Sequence, residues 1–446
     1  MAETQLTHRR VVAIALPIVI SNATVPILGI VDTGVVGQLG EAAPIGAVGI
    51  GAIILSAVYW IFGFLRMGTT GLTSQAAGAG DADEVEALFS RAMLIGLVAG
   101  AVIIIAQIPI FAGAFWVSPA STEVESLARD YMMIRVWSAP ATIALYGITG
   151  WLIAQERTRA VLVIQVLMNG ANIALSFYLG LELGWGIHGV AWATFIAEWG
   201  GLALGLYFCR DVFGGSAWRN TARIFDKARL KNMALVNTDI LIRSVLLQAI
   251  FVSFMLYGSD FGDVQLAANQ ILIQFLYVTG HALDGFAFAA EALVGKAFGA
   301  RARGAVRRAA VLSSIWGLVI CIGLAALFAV LGGAVIDVMT TAEEVQQTAR
   351  DYLPYMVAAP LVGVAAWMLD GIFIGATRTR DMRNMMIIST LVYFAAVIPL
   401  MALFTNHGLW LGMLISFVVR GVTLGWKYPA LEAAADKPVS QPVATT

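Results

Sequence analysis

The chain has 446 residues, of which 59% are hydrophobic and only 12% are charged, and its mean hydropathy is +0.83. This composition excludes a water-soluble enzyme and predicts a protein embedded in a membrane. The 27 Lys and Arg residues are matched by 28 Asp and Glu residues, which leaves no basic excess for binding nucleic acid. Nucleic acid is therefore excluded as a partner.

The first apolar segment of the chain begins after Arg10 and is too long for a signal peptide, so we expect the N-terminus to be retained. A membrane-spanning helix needs about 20 mostly apolar residues. Polar and turn residues divide the chain into twelve such segments, some of them long enough to be tilted. In chain order we predict spans at 11–36, 45–77, 86–116, 125–153, 160–181, 188–209, 232–257, 265–295, 307–337, 346–375, 384–404 and 408–430.

The basic residues between the predicted spans fall almost entirely on one side of the membrane. That side carries 21 of the 27 Lys and Arg residues, including Arg9, Arg10 and the segment from Arg210 to Lys231. The opposite side has only Arg129 and Arg350, at helix starts. Because cytoplasmic loops retain Lys and Arg, we expect both termini to be cytoplasmic, in a bacterial-type inner membrane.

An internal repeat relates the two halves of the sequence at an offset of 221 residues. At this offset residues 128–131 (Ala-Arg-Asp-Tyr) match 349–352, and residues 157–159 (Arg-Thr-Arg) match 378–380. Six spans, an even number, separate the matches, so the halves have the same membrane orientation. This predicts an all-α integral membrane protein with two pseudo-symmetric six-helix lobes, and a substrate cavity between them. The predicted domains are an N-lobe (1–209), a basic cytoplasmic linker (210–231), a C-lobe (232–430) and a cytoplasmic tail (431–446).

Several strings resemble those of a known family. Residues 15–17 (Ala-Leu-Pro), 31–33 (Val-Asp-Thr) and 36–40 (Val-Gly-Gln-Leu-Gly) resemble the opening of multidrug and toxic compound extrusion (MATE) transporters. Residues 63–72, 282–287 and 370–378 resemble the DinF-like branch of that family. The resemblance implies a V-shaped arrangement of two lobes and export of small amphipathic, often cationic organic compounds. Protons or sodium ions would be exchanged for the substrate, and we expect a monomer in contact with membrane lipids.

The same resemblance implies an ion-coupling site in the N-lobe. The coupling carboxylate of the family corresponds to Asp32, and an Asn and a Thr of the cation site correspond to Asn172 and Thr194. Ser176 stands where the family has a second Asp, which reduces the negative charge available to a sodium ion. We therefore favour proton coupling, with sodium as the alternative. The structural alternative is that Asp32 is permanently hydrogen-bonded and only fixes helix packing.

Two prolines interrupt the backbone hydrogen bonds of the first span, and proline within a helix favours a kink. Pro17 and Pro26 are therefore candidates for a bend controlled by protonation of Asp32, or for a static kink.

Further charges lie within predicted spans, where each needs a partner, water or a function. Asp284 and Glu291 are seven residues apart and share a helical face. With Asp370 they are candidates for a substrate site or a C-lobe ion site, and Tyr131 is a candidate for the cavity mouth or for an interfacial aromatic belt. Internal salt bridges are the alternative for the charges. The four-residue spacing of Asp239 and Arg243 predicts one such pair within a helix.

Enzymatic and metal chemistry has no supporting motif. Cys209 and Cys321 lie in apolar stretches, and the four histidines form no His-Glu-x-x-His motif. We therefore predict no catalytic residues, no metal site and no cofactor. Two rival functions remain open, namely a lipid-linked saccharide flippase, which needs a strongly cationic cavity, and a non-transporting membrane receptor or scaffold.

Overall fold

The computed structural model describes residues 6–24, 31, 34–38, 42–117 and 121–436. Within these ranges the regular secondary structure is entirely helical, which confirms the predicted all-α class. The α-helices are α1 (His8–Ala23), α2 (Ala42–Trp60), α3 (Phe64–Ala79), α4 (Ala82–Ile105), α5 (Gln107–Val117), α6 (Thr122–Arg135), α7 (Ala139–Ala154), α8 (Thr158–Leu175), α9 (Gly186–Phe208), α10 (Thr221–Ile224), α11 (Lys227–Ser259), α12 (Asp263–Gly299), α13 (Arg303–Met339), α14 (Glu343–Gly375), α15 (Thr379–Phe404) and α16 (Asn406–Ala434).

Shorter helical turns join or extend several of these helices. Turns of 3₁₀ helix at Ile61–Gly63 and Val136–Ser138 connect α2 with α3 and α6 with α7. A π-helix at Ser176–Glu182 continues α8. Two further 3₁₀ turns, Arg210–Gly214 and Ala217–Arg219, follow α9.

The described residues include 11 helices that are long and apolar enough to cross a membrane. Their bounds lie within a few residues of the predicted spans; for example, 346–375 was predicted where the helix is Glu343–Gly375. The third predicted span, 86–116, is divided at Ala106 into α4 and α5. The first predicted span, 11–36, begins in α1 and then runs into residues outside the described ranges.

Helix ends follow local sequence signals. The Asp81 side chain caps α4 by accepting a hydrogen bond from the Glu84 backbone N–H, and Ser121 caps α6 through Val124 N–H. Acidic residues in the first turn of each helix add a favourable interaction with the helix dipole.

The backbone repeats its conformation at the predicted offset of 221 residues. Glu156 and Thr377 both adopt the left-handed region, with φ of 60° and 48°. In both turns the next residue reaches back by the same hydrogen bond, from Arg157 N–H to the Leu152 carbonyl at 2.8 Å and from Arg378 N–H to the Phe373 carbonyl at 2.9 Å. A positive φ is uncommon outside glycine, so its recurrence at matched positions shows that the repeated sequence forms the same turn in both halves.

The described chain forms two compact units. Unit 1 contains Met1–Val19, Ser74–Gly80 and Lys231–Thr446, and unit 2 contains Ile20–Thr73 and Asp81–Leu230. The bounds of the predicted lobes and of the cytoplasmic tail stay a prediction, and the segment predicted as a linker, 210–231, lies almost entirely in unit 2.

Each unit has its own packed interior. In unit 1 Trp410 is fully buried, packs edge-on against Phe254 with ring centroids 4.4 Å apart, and donates its indole N–H to Asn269 at 3.0 Å. In unit 2 helices approach closely at small residues; a Cβ added to Gly147 would lie 2.9 Å from the Ala92 side chain. Small residues at such crossings are typical of membrane helix pairs.

Candidate functional site

Three polar side chains at the predicted N-lobe ion site lie together in the interior of unit 2. Asn172 donates from its amide nitrogen to the Thr194 hydroxyl at 2.8 Å, and the Ser176 hydroxyl donates to the Asn172 amide oxygen at 3.3 Å. All three are at most 4% exposed. The π-helix begins at Ser176, so the backbone departs from α-helical geometry at this site, as is frequent at functional sites. We call Asn172, Ser176 and Thr194 the polar triad.

The polar triad extends into a longer polar stripe that the sequence analysis missed. Asn169 is buried and donates to the Thr24 hydroxyl at 2.9 Å, and Gln165 donates to Asn169 at 3.3 Å. The signal was present in the sequence, because positions 165, 169, 172 and 176 are spaced by four, three and four residues. That spacing places them on one helical face.

Two of the predicted residues, Asp32 and Pro26, lie outside the described residues. Nearby in the sequence, Val35 lies beside the π-helix, because a Cβ added to Gly180 would be 3.0 Å from a Val35 methyl group. Pro17 is buried within α1, which continues past it to Ala23. The coupling role of Asp32 and the kink roles of Pro17 and Pro26 stay predictions.

Unit 2 also contains an aromatic cavity of about 440 Å³. This volume falls within the range of small-molecule sites. Trp192 and Phe195 stand edge-on with centroids 5.2 Å apart, and both come from α9. The lining side chains are Met133, Ile134, Trp137, Trp192, Phe195 and Trp199. Such a lining suits a flat apolar or cationic organic molecule.

A partly buried ion pair joins the two helices that line this cavity. Arg135 lies 3.1 Å from the Glu198 carboxylate and donates to the Tyr131 hydroxyl at 2.8 Å. Tyr59 donates its hydroxyl to the Arg135 carbonyl at 3.2 Å. Tyr131 itself is 1% exposed, so the structure places it in the interior of unit 2. The ion pair rigidifies the helix pair behind the aromatic side chains.

The three predicted acids of the C-lobe lie in unit 1. Glu291 is buried on α12 and Asp284 is half-buried on the same helix, and both interact with other groups. Asp370 lies on α14, is 5% exposed, and is ion-paired with Arg243 from α11. Their role as a substrate or ion site stays a prediction.

The predicted pair between Asp239 and Arg243 is wrong. Asp239 accepts from Arg383 at 2.6 Å and from the Thr379 hydroxyl at 3.1 Å, both on α15, whereas Arg243 pairs with Asp370. A spacing of four residues permits contact within a helix, but two side chains of the neighbouring helix α15 satisfy both oxygens of this carboxylate.

Metal-binding geometry is absent from the part of the chain that the structure describes: no group of three or more His, Cys, Asp or Glu side chains could hold an ion there. Cys209 and Cys321 are buried free cysteines.

Comparison with known proteins places these observations in a family. The MatE family model matches the chain twice, at residues 17–178 and 240–400. The DNA damage-inducible protein F of Escherichia coli K12 is 35% identical over 428 residues, covering 92% of this chain and 90% of that protein. A protein of Synechocystis named probable multidrug resistance protein NorM is 23% identical, covering 95% of each chain.

A solved structure supports the same assignment at the level of the fold. The Vibrio cholerae MATE transporter VcmN in the bent form superposes with a TM-score of 0.87 at 17% identity, covering 96% of this chain and 98% of that one. The two matches of the family model also coincide with the two halves of the internal repeat. The chain therefore belongs to the MatE family of multi-pass membrane transporters.

Proposed function

We propose that this transporter is a secondary active exporter of small amphipathic organic compounds, driven by protons exchanged at Asp32. The observation that carries the coupling proposal is the polar triad, in which Asn172 is hydrogen-bonded both to Ser176, four residues further along the chain, and to Thr194 of α9, in the interior of unit 2. The relative from Synechocystis, named as a probable multidrug resistance protein, supports the substrate class. The aromatic cavity supplies a surface suited to such substrates.

Proton coupling is favoured over sodium coupling by the charge of the polar triad. Its three members offer one amide oxygen and two hydroxyl oxygens, all of them neutral. A sodium ion bound here would have one carboxylate, that of Asp32, to offset its charge and desolvation. A proton needs only that carboxylate, because the two combine to form a neutral carboxylic acid. The neighbouring neutral groups can hydrogen-bond to this acid.

The proton gradient is large enough for this task. One proton moving inward supplies about 1.4 kcal/mol per pH unit and about 2.3 kcal/mol per 100 mV. Together they support a several-hundred-fold gradient of a neutral solute at one-for-one exchange.

We place the protein in a bacterial-type inner membrane with both termini cytoplasmic, as a monomer among lipids, with no cofactor besides the coupling ion.

The test is uptake of a fluorescent lipophilic cation into inside-out vesicles under an imposed proton gradient or sodium gradient. We expect proton-driven uptake in the parent protein and its loss in Asp32→Asn. The matched control is Asp263→Asn, which removes an exposed carboxylate at the start of α12 and should leave uptake unchanged. Normal proton-driven uptake by Asp32→Asn would overturn the coupling role. No uptake under either gradient would favour the flippase or an anionic substrate.

A further inference from the structure

A cluster of three charged side chains in unit 1 has an unbalanced charge. Arg243 from α11, Asp370 from α14 and Arg420 from α16 are 7%, 5% and 2% exposed. Arg243 and Asp370 form a direct ion pair, and the Arg420 Nε atom lies 3.8 Å from the same carboxylate oxygen. One carboxylate therefore faces two guanidinium groups, and we call this group the Arg–Asp–Arg cluster.

The acid on the same helix as Arg243 does not cancel the excess. The closest acid along α11, Asp239, has both of its carboxylate oxygens engaged by Arg383 and Thr379. Asp239 with Arg383 thus forms a neutral pair of its own. Within the described residues Asp370 is the one acid in ionic contact with Arg243 or Arg420, so one positive charge stays without a counter-ion.

Arg420 also lacks hydrogen-bond acceptors. A guanidinium group carries five N–H donors, yet among the described residues Arg420 makes no side-chain hydrogen bond, and its Nε is fully enclosed. Its guanidinium carbon lies 5.9 Å from the centroid of the Phe417 ring. The Nε of Arg243 is likewise buried and unpaired. The Oδ1 atom of Asp370 is also buried and unpaired, so the cluster holds one open acceptor for two unpaired Nε donors. Buried charge without partners is costly, and two guanidinium groups facing one carboxylate call for a further anion.

We propose that the Arg–Asp–Arg cluster binds a small monovalent anion, either an inorganic ion or the terminal carboxylate of a small organic molecule. An anion beside Arg420 supplies both the missing charge and the missing acceptor, and a carboxylate matches the paired N–H donors of a guanidinium. The tight burial of the three side chains limits the ligand to a small ion or to a single carboxylate group. This proposal concerns binding and does not depend on the direction or coupling of transport.

The experiment measures the thermal unfolding temperature of the purified full-length protein in detergent, at constant ionic strength. The bulky sulfonate MES, which has no carboxylate group, serves as the reference anion, and chloride, acetate and octanoate replace it in turn. We expect a saturable rise of about 2–4 °C with at least one small anion. A rise with chloride identifies an inorganic ion, and a rise with acetate and octanoate alone identifies an organic carboxylate.

Variants separate this site from general salt effects. Arg420→Gln should abolish the saturable rise. If that variant does not fold, Arg420→Lys takes its place. It keeps the charge but loses the paired donors, so anion binding should be about tenfold weaker. Asp370→Asn should instead lower the half-saturating concentration, since it removes the competing carboxylate. The matched control is Arg350→Gln, whose side chain is 42% exposed and pairs with Asp337. No saturable rise in the parent protein, or an equal rise in Arg420→Gln, would overturn the proposal.

Discussion

Gly371 on α14 lies against the backbone of α12, so that a Cβ at this position would be 2.6 Å from the carbonyl oxygen of Ala287. The same contact recurs in unit 2, where a Cβ on Gly150 would meet the carbonyl oxygen of Arg66. Positions 150 and 66 are 221 residues before 371 and 287, so the contact is repeated along with the sequence. The same close helix crossing at a glycine is thus present in both units.

We predict that Gly371→Ala destabilises the protein by about 1–3 kcal/mol, because the added methyl group collides with a backbone atom that cannot rotate away. The unfolding temperature in detergent should fall by several degrees. Gly323→Ala is the matched control, since a Cβ there meets nothing within 4 Å and alanine favours the helix. Equal unfolding temperatures for Gly371→Ala and the parent would show that the crossing tolerates a methyl group.

The N-lobe site lacks the second acid that the family resemblance implies, and restoring an acid there should change which ion the protein depends on. Ser176 is fully buried, and its hydroxyl lies 3.3 Å from the Asn172 amide oxygen. Ser176→Asp therefore adds a carboxylate beside this amide group. We predict that this variant is less stable without sodium and is stabilised by sodium, by about 2.7 kcal/mol at a hundredfold excess over its dissociation constant. A sodium gradient should then drive uptake in the vesicle assay.

The control for that experiment is Ser176→Asn, which adds a similar volume without charge and should give no response to sodium. If Ser176→Asp shows no sodium dependence in stability or uptake, the residue at position 176 does not decide the coupling ion.

The aromatic cavity predicts a loss of affinity for aromatic cations. Trp192 lines the cavity and contacts Phe195, and stacking on such a ring is worth about 0.5–1.5 kcal/mol. We predict that Trp192→Ala binds a fluorescent lipophilic cation about three- to tenfold more weakly, as measured by fluorescence anisotropy with purified protein. Trp116→Ala removes an 85% exposed indole outside the cavity lining and should bind normally. Equal affinity for both variants would argue that the probe binds elsewhere.

The segment after α9 is held to unit 2 by a network centred on Glu84. This carboxylate accepts from the buried Arg91 at 2.7 Å, pairs with Arg229, and lies 3.4 Å from Arg223. We predict that Glu84→Gln costs about 3 kcal/mol, because Arg91 is 1% exposed and loses its counter-ion. Tryptic cleavage after Arg223 and Arg229 should accelerate.

Asp83 provides the matched control for this network. It lies in the same first turn of α4, but its side chain is 68% exposed and 3.4 Å from Arg223. Asp83→Asn should cost less than about 1 kcal/mol and leave the cleavage rate near that of the parent. Similar losses in both variants would mean that the helix dipole, and not the buried Arg91, dominates the effect.

Much of the fold was predictable because its signals are local. Inside a membrane the backbone N–H and C=O groups have no water to hydrogen-bond with, so a long apolar segment must form a helix. The predicted spans therefore agree with most of the helices to within a few residues. The repeated turns at Glu156 and Thr377 follow from matching sequence on both sides. The break at Ala106 and the π-helix at Ser176 have no comparable local signal, and the sequence analysis missed both.

Partner choice among buried charges was decided by the tertiary structure alone. Asp239 and Arg243 have the spacing of a helical pair, yet each bonds to a residue more than a hundred positions away. A buried carboxylate takes the donors that satisfy both its oxygens, and those donors arrive from whichever helices pack beside it.

By itself the sequence determined the membrane class, the helical spans and the repeat, since each depends on composition or on spacing along the chain. The residues of the N-lobe site were predicted from the resemblance to a family. The tertiary structure decided which helices meet. Only that packing brings Asn172 to Thr194, forms the open aromatic cavity, and sets two arginines against one aspartate, because these contacts join side chains that no sequence spacing relates.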